Sequence, residues 1–292
     1  MIALLVLAAA GPLTLHAAHK GGVSAVAVSP DGTLIASAGS LDKLVKLWDA
    51  TSGKAVRTLE GHTGPIRALG FSPDGKTLAS AGGGEVILWR VSDGDAQGLR
   101  TGGGWNAGLA WSRDGKWVSS GGREGIHVWN AASPEHEEIA TLPGHADSEL
   151  TDVAFLPGGR LLSAGSGNDI KLWDVAARTL VSSRESGGTR VAVSPDGKQA
   201  ALAGEQVKLW DLAALGKPLL LGKKGSINAV AFAPSGLLAA ASYAAPTVQL
   251  WRAEADAGTL KLAAPALCVA FAPDGKRLFA AVGDEVVAVE VK

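Results

Sequence analysis

The sequence has 292 residues, 47% of them hydrophobic and 19% charged, and a net charge of −1 at pH 7. So balanced a charge offers no basic field to nucleic acid. A single cysteine, Cys268, excludes an internal disulfide framework and metal sites built from several thiolates.

The chain opens with an apolar stretch, Met1 to Ala10, whose Ala8-Ala9-Ala10 has the small-residue form of a signal cleavage site. It is short and has no basic residues ahead of it. Residues 1–11 are read as an apolar leader or signal segment, which places the protein outside the cytoplasm or in the periplasm. The alternative is a cytoplasmic protein with an apolar strand extension. No stretch reaches the roughly 18–20 apolar residues of a membrane-spanning helix. Next, Leu13-Thr14-Leu15-His16 followed by Ala18-His19 parallels Arg57-Thr58-Leu59-Glu60 followed by Gly61-His62.

From there one short stretch recurs. It reads Val45-Lys46-Leu47-Trp48-Asp49, then returns around Trp89, Trp129, Trp173, Trp210 and Trp251 at spacings of 41, 40, 44, 37 and 41 residues. A seventh copy, Val286-Val287-Ala288-Val289-Glu290, has lost its tryptophan. Ahead of each copy lies a turn: Ser29-Pro30-Asp31-Gly32, Ser72-Pro73-Asp74-Gly75, Ser112-Arg113-Asp114-Gly115, Ser194-Pro195-Asp196-Gly197, and three looser relatives. Proline presets φ for the second turn position and glycine suits the fourth, so each marks a hairpin between two strands. With the tryptophan strand and a weaker fourth strand, every unit has four strands. A period near 40 that ends a strand on Trp-Asp is the mark of a radial propeller.

These units resemble the WD-repeat (WD40) family over nearly the whole chain. The resemblance implies an all-β fold: one seven-bladed β-propeller of four-stranded antiparallel blades over residues 12–292. The ring is closed by an N-terminal strand, residues 12–16, that completes the last blade and leaves no long unpaired edge. It also implies a rigid platform for protein partners.

The first strand of each blade alternates larger residues (Val26, Leu69, Phe71, Leu109, Val230) with small ones (Ala25, Ala68, Gly108, Ala229). Small residues suit the narrow side of a wedge converging on an axis. Asp152, Arg190 and Cys268 break that rule at one equivalent position. Asp152 and Arg190 fall in neighbouring blades, so an inter-blade ion pair near one mouth of the channel is expected; a polar site at the mouth is the functional alternative.

The family often joins a His, a Ser or Thr, an Asp and the repeat Trp by hydrogen bonds. The matching residues in blade 1 are His19, Ser37, Asp42 and Trp48. Blade 4 matches through His145, Ser163 and Trp173, with Asp169 displaced; blade 2 has His62, Ser80 and Trp89 without an Asp. The set looks like a Ser-His-Asp triad, but a hydroxyl bonded to an indole is structural, and no oxyanion site is implied. Gly70 to Thr77 matches the phosphate-loop pattern, yet a strand follows where a helix is required. The six histidines show no metal spacing. No catalytic, cofactor or metal residue is therefore assigned.

In the family, partners bind the face carrying the loops into the first strand and the turns between the second and third. The matching positions are Lys43, Arg67, Trp105, Arg123, Glu149, Asn228 and Tyr243. Trp105 with Arg67 and Arg123 suits an acidic or aromatic peptide. The reading is a monomeric, non-catalytic scaffold for protein or peptide partners. The alternative is a propeller enzyme or an extracytoplasmic ligand sensor using the channel mouth.

Overall fold

The computed structural model describes residues 13–100, 106–145, 149–167, 169–185, 188–214 and 216–291. The leader, residues 1–11, and Trp105 lie outside the described residues. Seven four-stranded antiparallel sheets form seven blades in a ring, and no helix occurs among the described residues.

A two-residue strand, β1 (Thr14–Leu15), comes first. Blade 1 follows as β2 (Val23–Val28), β3 (Leu34–Gly39), β4 (Val45–Asp49) and β5 (Ala55–Leu59), hydrogen-bonded in that order. The innermost strands of blades 2 to 7 are Ile66–Phe71, Asn106–Trp111, Leu150–Phe155, Arg190–Val193, Ile227–Phe232 and Val269–Phe271. In the last blade β1 pairs with Glu285–Glu290, Thr14 opposite Val287 and Leu15 opposite Val286. Ala288 N–H adds a bond to the Leu13 carbonyl at 2.8 Å. The N-terminus thus supplies the outer strand of the blade that holds the C-terminal strand.

The tight hairpin between the first two strands is chemically specified. The Ser29 hydroxyl donates to Asp31 at 2.6 Å and accepts from Leu34 N–H at 2.9 Å, while Gly32 takes φ +72°. The same arrangement recurs at Ser72, Ser112 and Ser194. Serine, aspartate and glycine therefore close the turn together, and a positive φ requires the glycine.

The core is divided by seam. Trp89 of blade 2 packs with Ala36, Val45, Leu47 and Leu59 of blade 1. Trp129 does the same against blade 2, and Trp173 against blade 3. The pattern continues with Trp210, Trp251 and Trp48. Each indole buries on the order of 200 Å², roughly 5 kcal/mol of transfer free energy. The seam between blades 6 and 7 has no tryptophan and is filled by Leu250, Leu278, Leu260, Leu262 and Phe271. Arginines add bonds across seams, as from Arg277 to the Ala50 carbonyl at 2.9 Å. Trp111 is half-buried, and its indole donates to the Gly70 carbonyl of the preceding blade at 2.9 Å.

Candidate functional site

The innermost strands are irregular at one shared point. In five blades the register slips by one residue, with Ser24, Arg67, Ala107, Thr151 and Asn228 as the extra residue on the bulged strand. A bulge frees backbone groups and re-aims a side chain. Thr189 and Leu267 hold the same position in the other two blades, just before their strands begin. All seven line one cavity of about 770 Å³ at the mouth of the channel. Arg123, Glu149 and Tyr243 complete the rim, with Tyr243 65% exposed. Of the partner positions expected from sequence, Arg67, Arg123, Glu149, Asn228 and Tyr243 meet here. Lys43 stands apart from the cavity lining, exposed, with its ammonium on the Thr63 carbonyl at 2.8 Å.

The sequence reading did not single out Ser24, Thr151, Thr189 and Leu267 as mouth residues. They were findable, since each sits immediately before the small or exceptional residue of its innermost strand. Asn228 is held by its own amide, which donates to the Ala266 carbonyl at 2.7 Å.

The floor of the cavity corrects the expected ion pair. Asp152 and Arg190 lie on the innermost strands of neighbouring blades, Arg190 lining the cavity, but no direct bridge joins them. The Arg190 Nη1 group donates to the carbonyls of Thr151 (3.0 Å) and Ala107 (3.2 Å), both bulge residues. Asp152 accepts from the amides of Val191 (2.9 Å) and Val153 (3.0 Å). The physical reason is the bulge: it frees carbonyls that compete for the guanidinium. Gly108 is needed at this level because a Cβ there would lie 2.7 Å from Asp152 Cα. Desolvation pushes the Asp152 carboxyl up to about 6, against the pull of Arg190 and the two amides. Burial also raises the Cys268 thiol to about 11, which leaves it a poor nucleophile at neutral pH.

Behind the mouth, buried networks fix the blades. In blade 1, Trp48 Nε1–H donates to the Ser37 hydroxyl at 2.8 Å, Ser37 meets His19 Nε2 at 2.8 Å, and His19 Nδ1 meets Asp42 at 3.0 Å. Blade 4 holds the same chain through Trp173, Ser163, His145 and Asp169, at 2.9, 2.8 and 2.7 Å. Blade 2 has it too: Trp89 and His62 bond Ser80 at 2.8 and 2.6 Å, and Glu85 lies 3.4 Å from His62 Nδ1. At 3.4 Å the last contact is looser than its counterparts in blades 1 and 4 and falls short of a hydrogen bond. A model of the WD domain, G-beta repeat, matches residues 11–49, 53–90 and 136–174, the three segments that contain these networks. The chain belongs to the WD-repeat family.

Among its relatives is the WD repeat-containing protein SL1-17 of Schistosoma mansoni, 32% identical over 166 residues, 56% of this chain and 54% of that protein. The small ribosomal subunit proteins RACK1z of Arabidopsis thaliana and RACK1 of Brassica napus are each 57% identical over 44 residues, 15% of this chain and 13% of theirs. The match thus spans about half the length of the first relative and one short segment of the others.

In this WD-repeat ring the triad-like set is buried: Ser37, Ser80 and Ser163 are each 0% exposed and each accepts an indole N–H. The phosphate-loop look-alike runs from the strand Ile66–Phe71 through a hairpin turn into the strand Thr77–Gly82. Its amides therefore do not gather at a helix N-terminus. No helix among the described residues is long and apolar enough to cross a membrane.

The networks make stability depend on pH. Burial depresses His19, His62 and His145 below the ordinary 6.5, outweighing the neighbouring acids. The neutral rings donate from Nδ1 towards the acid and accept the serine proton at Nε2. The unfolded chain then binds more protons than the folded one as pH falls through 6.5 towards the folded values, so stability is lost over that window. Asp152 acts oppositely: its raised carboxyl makes the folded state the better proton acceptor between about 4 and 6. Three histidines against one aspartate give a net fall. The urea midpoint should drop from pH 7.5 to pH 5.5, and Asp152→Asn should steepen the drop below pH 6. A midpoint level or rising over that range would contradict the assignment.

Proposed function

We propose that the protein is a non-catalytic scaffold that holds a protein or peptide partner at its channel mouth. The observation that carries this reading is the convergence of one residue from every blade, with Arg123, Glu149 and Tyr243, around a single concave cavity. Family membership supports it, since WD-repeat propellers typically mediate protein–protein interactions. A polar rim around an exposed tyrosine has the composition of an interface centre. An enzyme or ligand sensor at the same place would need acids, histidines or thiolates drawn together. Among the described residues no three such groups converge, and Glu149 is the one carboxylate of the described lining.

The test is affinity capture from the native cell with three baits: wild type, Arg123→Glu/Tyr243→Ala at the mouth, and Lys276→Glu on the opposite face. Partner recovery should fall about tenfold or more for the mouth variant, the equivalent of roughly 1.4 kcal/mol, and stay unchanged for Lys276→Glu. Equal recovery by all three would move the interface elsewhere on the ring.

A further inference from the structure

We propose that the cavity receives a carboxylate of an acidic peptide, seated on Arg190 at its floor. This rests on reading the mouth as the partner face, and it adds the chemistry of what is held there.

The floor is already half built for that group. Arg190 is half-buried and lines the cavity, and its position is fixed by carbonyls from two other blades. Those bonds engage Nη1 only. The Nε–H and Nη2–H donors find no partner among the described residues, and together they form one edge of the guanidinium fork. Two parallel N–H groups on one planar edge match the two oxygens of a carboxylate. A guanidinium already immobilised by backbone loses little rotamer freedom when it binds.

The charge balance of the walls has the same sign. Arg67 and Arg123 on blades 2 and 3 stand against Glu149 alone among the described lining residues. Arg123 is exposed and makes no hydrogen bond or ion pair among the described residues. Asp152, the nearby acid, spends its oxygens on the amides of Val153 and Val191 instead of on Arg190. On blades 6 and 7, Tyr243 and Leu267 are 65% and 43% exposed and offer apolar surface to a residue beside the acid. A basic half and an apolar half over an anchored arginine fit a short acidic segment with an adjacent apolar side chain. A volume of 770 Å³ is within the range of sites that enclose a small ligand.

The experiment uses the full chain and fluorescein-labelled hexapeptide mixtures read by anisotropy. One mixture has a fixed central glutamate next to leucine and both termini capped. A second replaces that glutamate with glutamine. A third has no acidic side chain but a free C-terminal carboxylate. Binding of the first mixture identifies a side chain as the source of the carboxylate, and binding of the third identifies the chain terminus. In either case the glutamine or amide-capped counterpart should bind at least tenfold more weakly. Arg190→Gln should cost a similar factor. Arg123→Gln, at a side chain without structural contacts, should weaken binding severalfold and keeps the test decisive where Arg190→Gln does not fold.

Binding of the glutamine and glutamate mixtures with equal strength would overturn the proposal. So would failure of both acidic mixtures. If that failure came while capture from cells still depended on Arg123 and Tyr243, the carboxylate inference would fall and the scaffold reading would stand. Capture indifferent to the mouth would move the interface elsewhere on the ring and remove the reading of the mouth as the partner face.

Discussion

Leu15→Asp should open the ring, at a cost of about 4 kcal/mol or more. The backbone register of the strand that closes the last blade is short: two ladder pairs, with the bond from Ala288 N–H to Leu13 beside them. What anchors it is the side chain of Leu15, 2% exposed and packed in the cluster of Ala18, Trp48, Phe279 and Val286. It reaches blade 1 as well, because a Cβ on Gly53 would come within 3.2 Å of Leu15 and 2.9 Å of Leu13. Aspartate there forfeits roughly 1.5–3 kcal/mol of leucine burial. It also leaves an unpaired buried charge, costing about 3–5 kcal/mol. Release of the strand is the cheaper outcome, and it bares the edge of Glu285–Glu290 to other chains. The urea midpoint should fall sharply, residues 13–20 should become accessible to limited proteolysis, and the protein should self-associate. Val56→Asp, on the 53%-exposed outer face of blade 1, should change stability by about 0.5 kcal/mol or less. Equal midpoints for the two variants would show that closure does not depend on this leucine.

Much of the fold is legible because its determinants are local. A tryptophan every 40 residues or so, a Ser-Asp-Gly turn ahead of it and the echo of Leu13 to His19 in Arg57 to His62 name the blades, the hairpins and the closing strand. The mouth is harder to read. A strand pattern of period two assigns faces correctly only while the register holds, and a one-residue bulge turns a ladder residue into a channel residue. Arg67 and Asn228 stand out as loop-face positions, whereas Ser24, Thr151 and Thr189 are ordinary residue types that only their place before the small or exceptional residue marks. The Asp152–Arg190 pair failed for a related reason: matching charges at equivalent positions does not reveal carbonyls freed by bulges. Glu85 was overlooked because the expected residue was aspartate in a turn. It follows His62 by 23 residues, as Asp42 follows His19, and the extra methylene lets it approach from the start of a strand.

The networks of blades 1, 2 and 4 lead to the second large effect: Ser163→Ala should cost about 2–5 kcal/mol. One hydroxyl serves two buried groups there, accepting from Trp173 Nε1–H and meeting His145 Nε2. Alanine leaves a buried donor and a buried acceptor unsatisfied, at about 1–3 kcal/mol each. It also loosens the ring that orients Asp169. Blade 3 supplies the control, since Ser120 lies at the same place in its second strand. Its hydroxyl donates to the Gly108 carbonyl at 2.9 Å, while Trp129 stacks on His127 at 5.8 Å. Ser120→Ala therefore frees one carbonyl and should cost about 1 kcal/mol. Urea denaturation of both variants decides the matter. If Ser163→Ala costs no more than Ser120→Ala, the hydrogen-bonded chain adds nothing beyond packing. If it costs several times more, these blades are held by polar satisfaction on top of burial. The seam between blades 6 and 7, which among the described residues has neither a tryptophan nor such a network, then rests on apolar packing and the single bond from Asn228 to the Ala266 carbonyl.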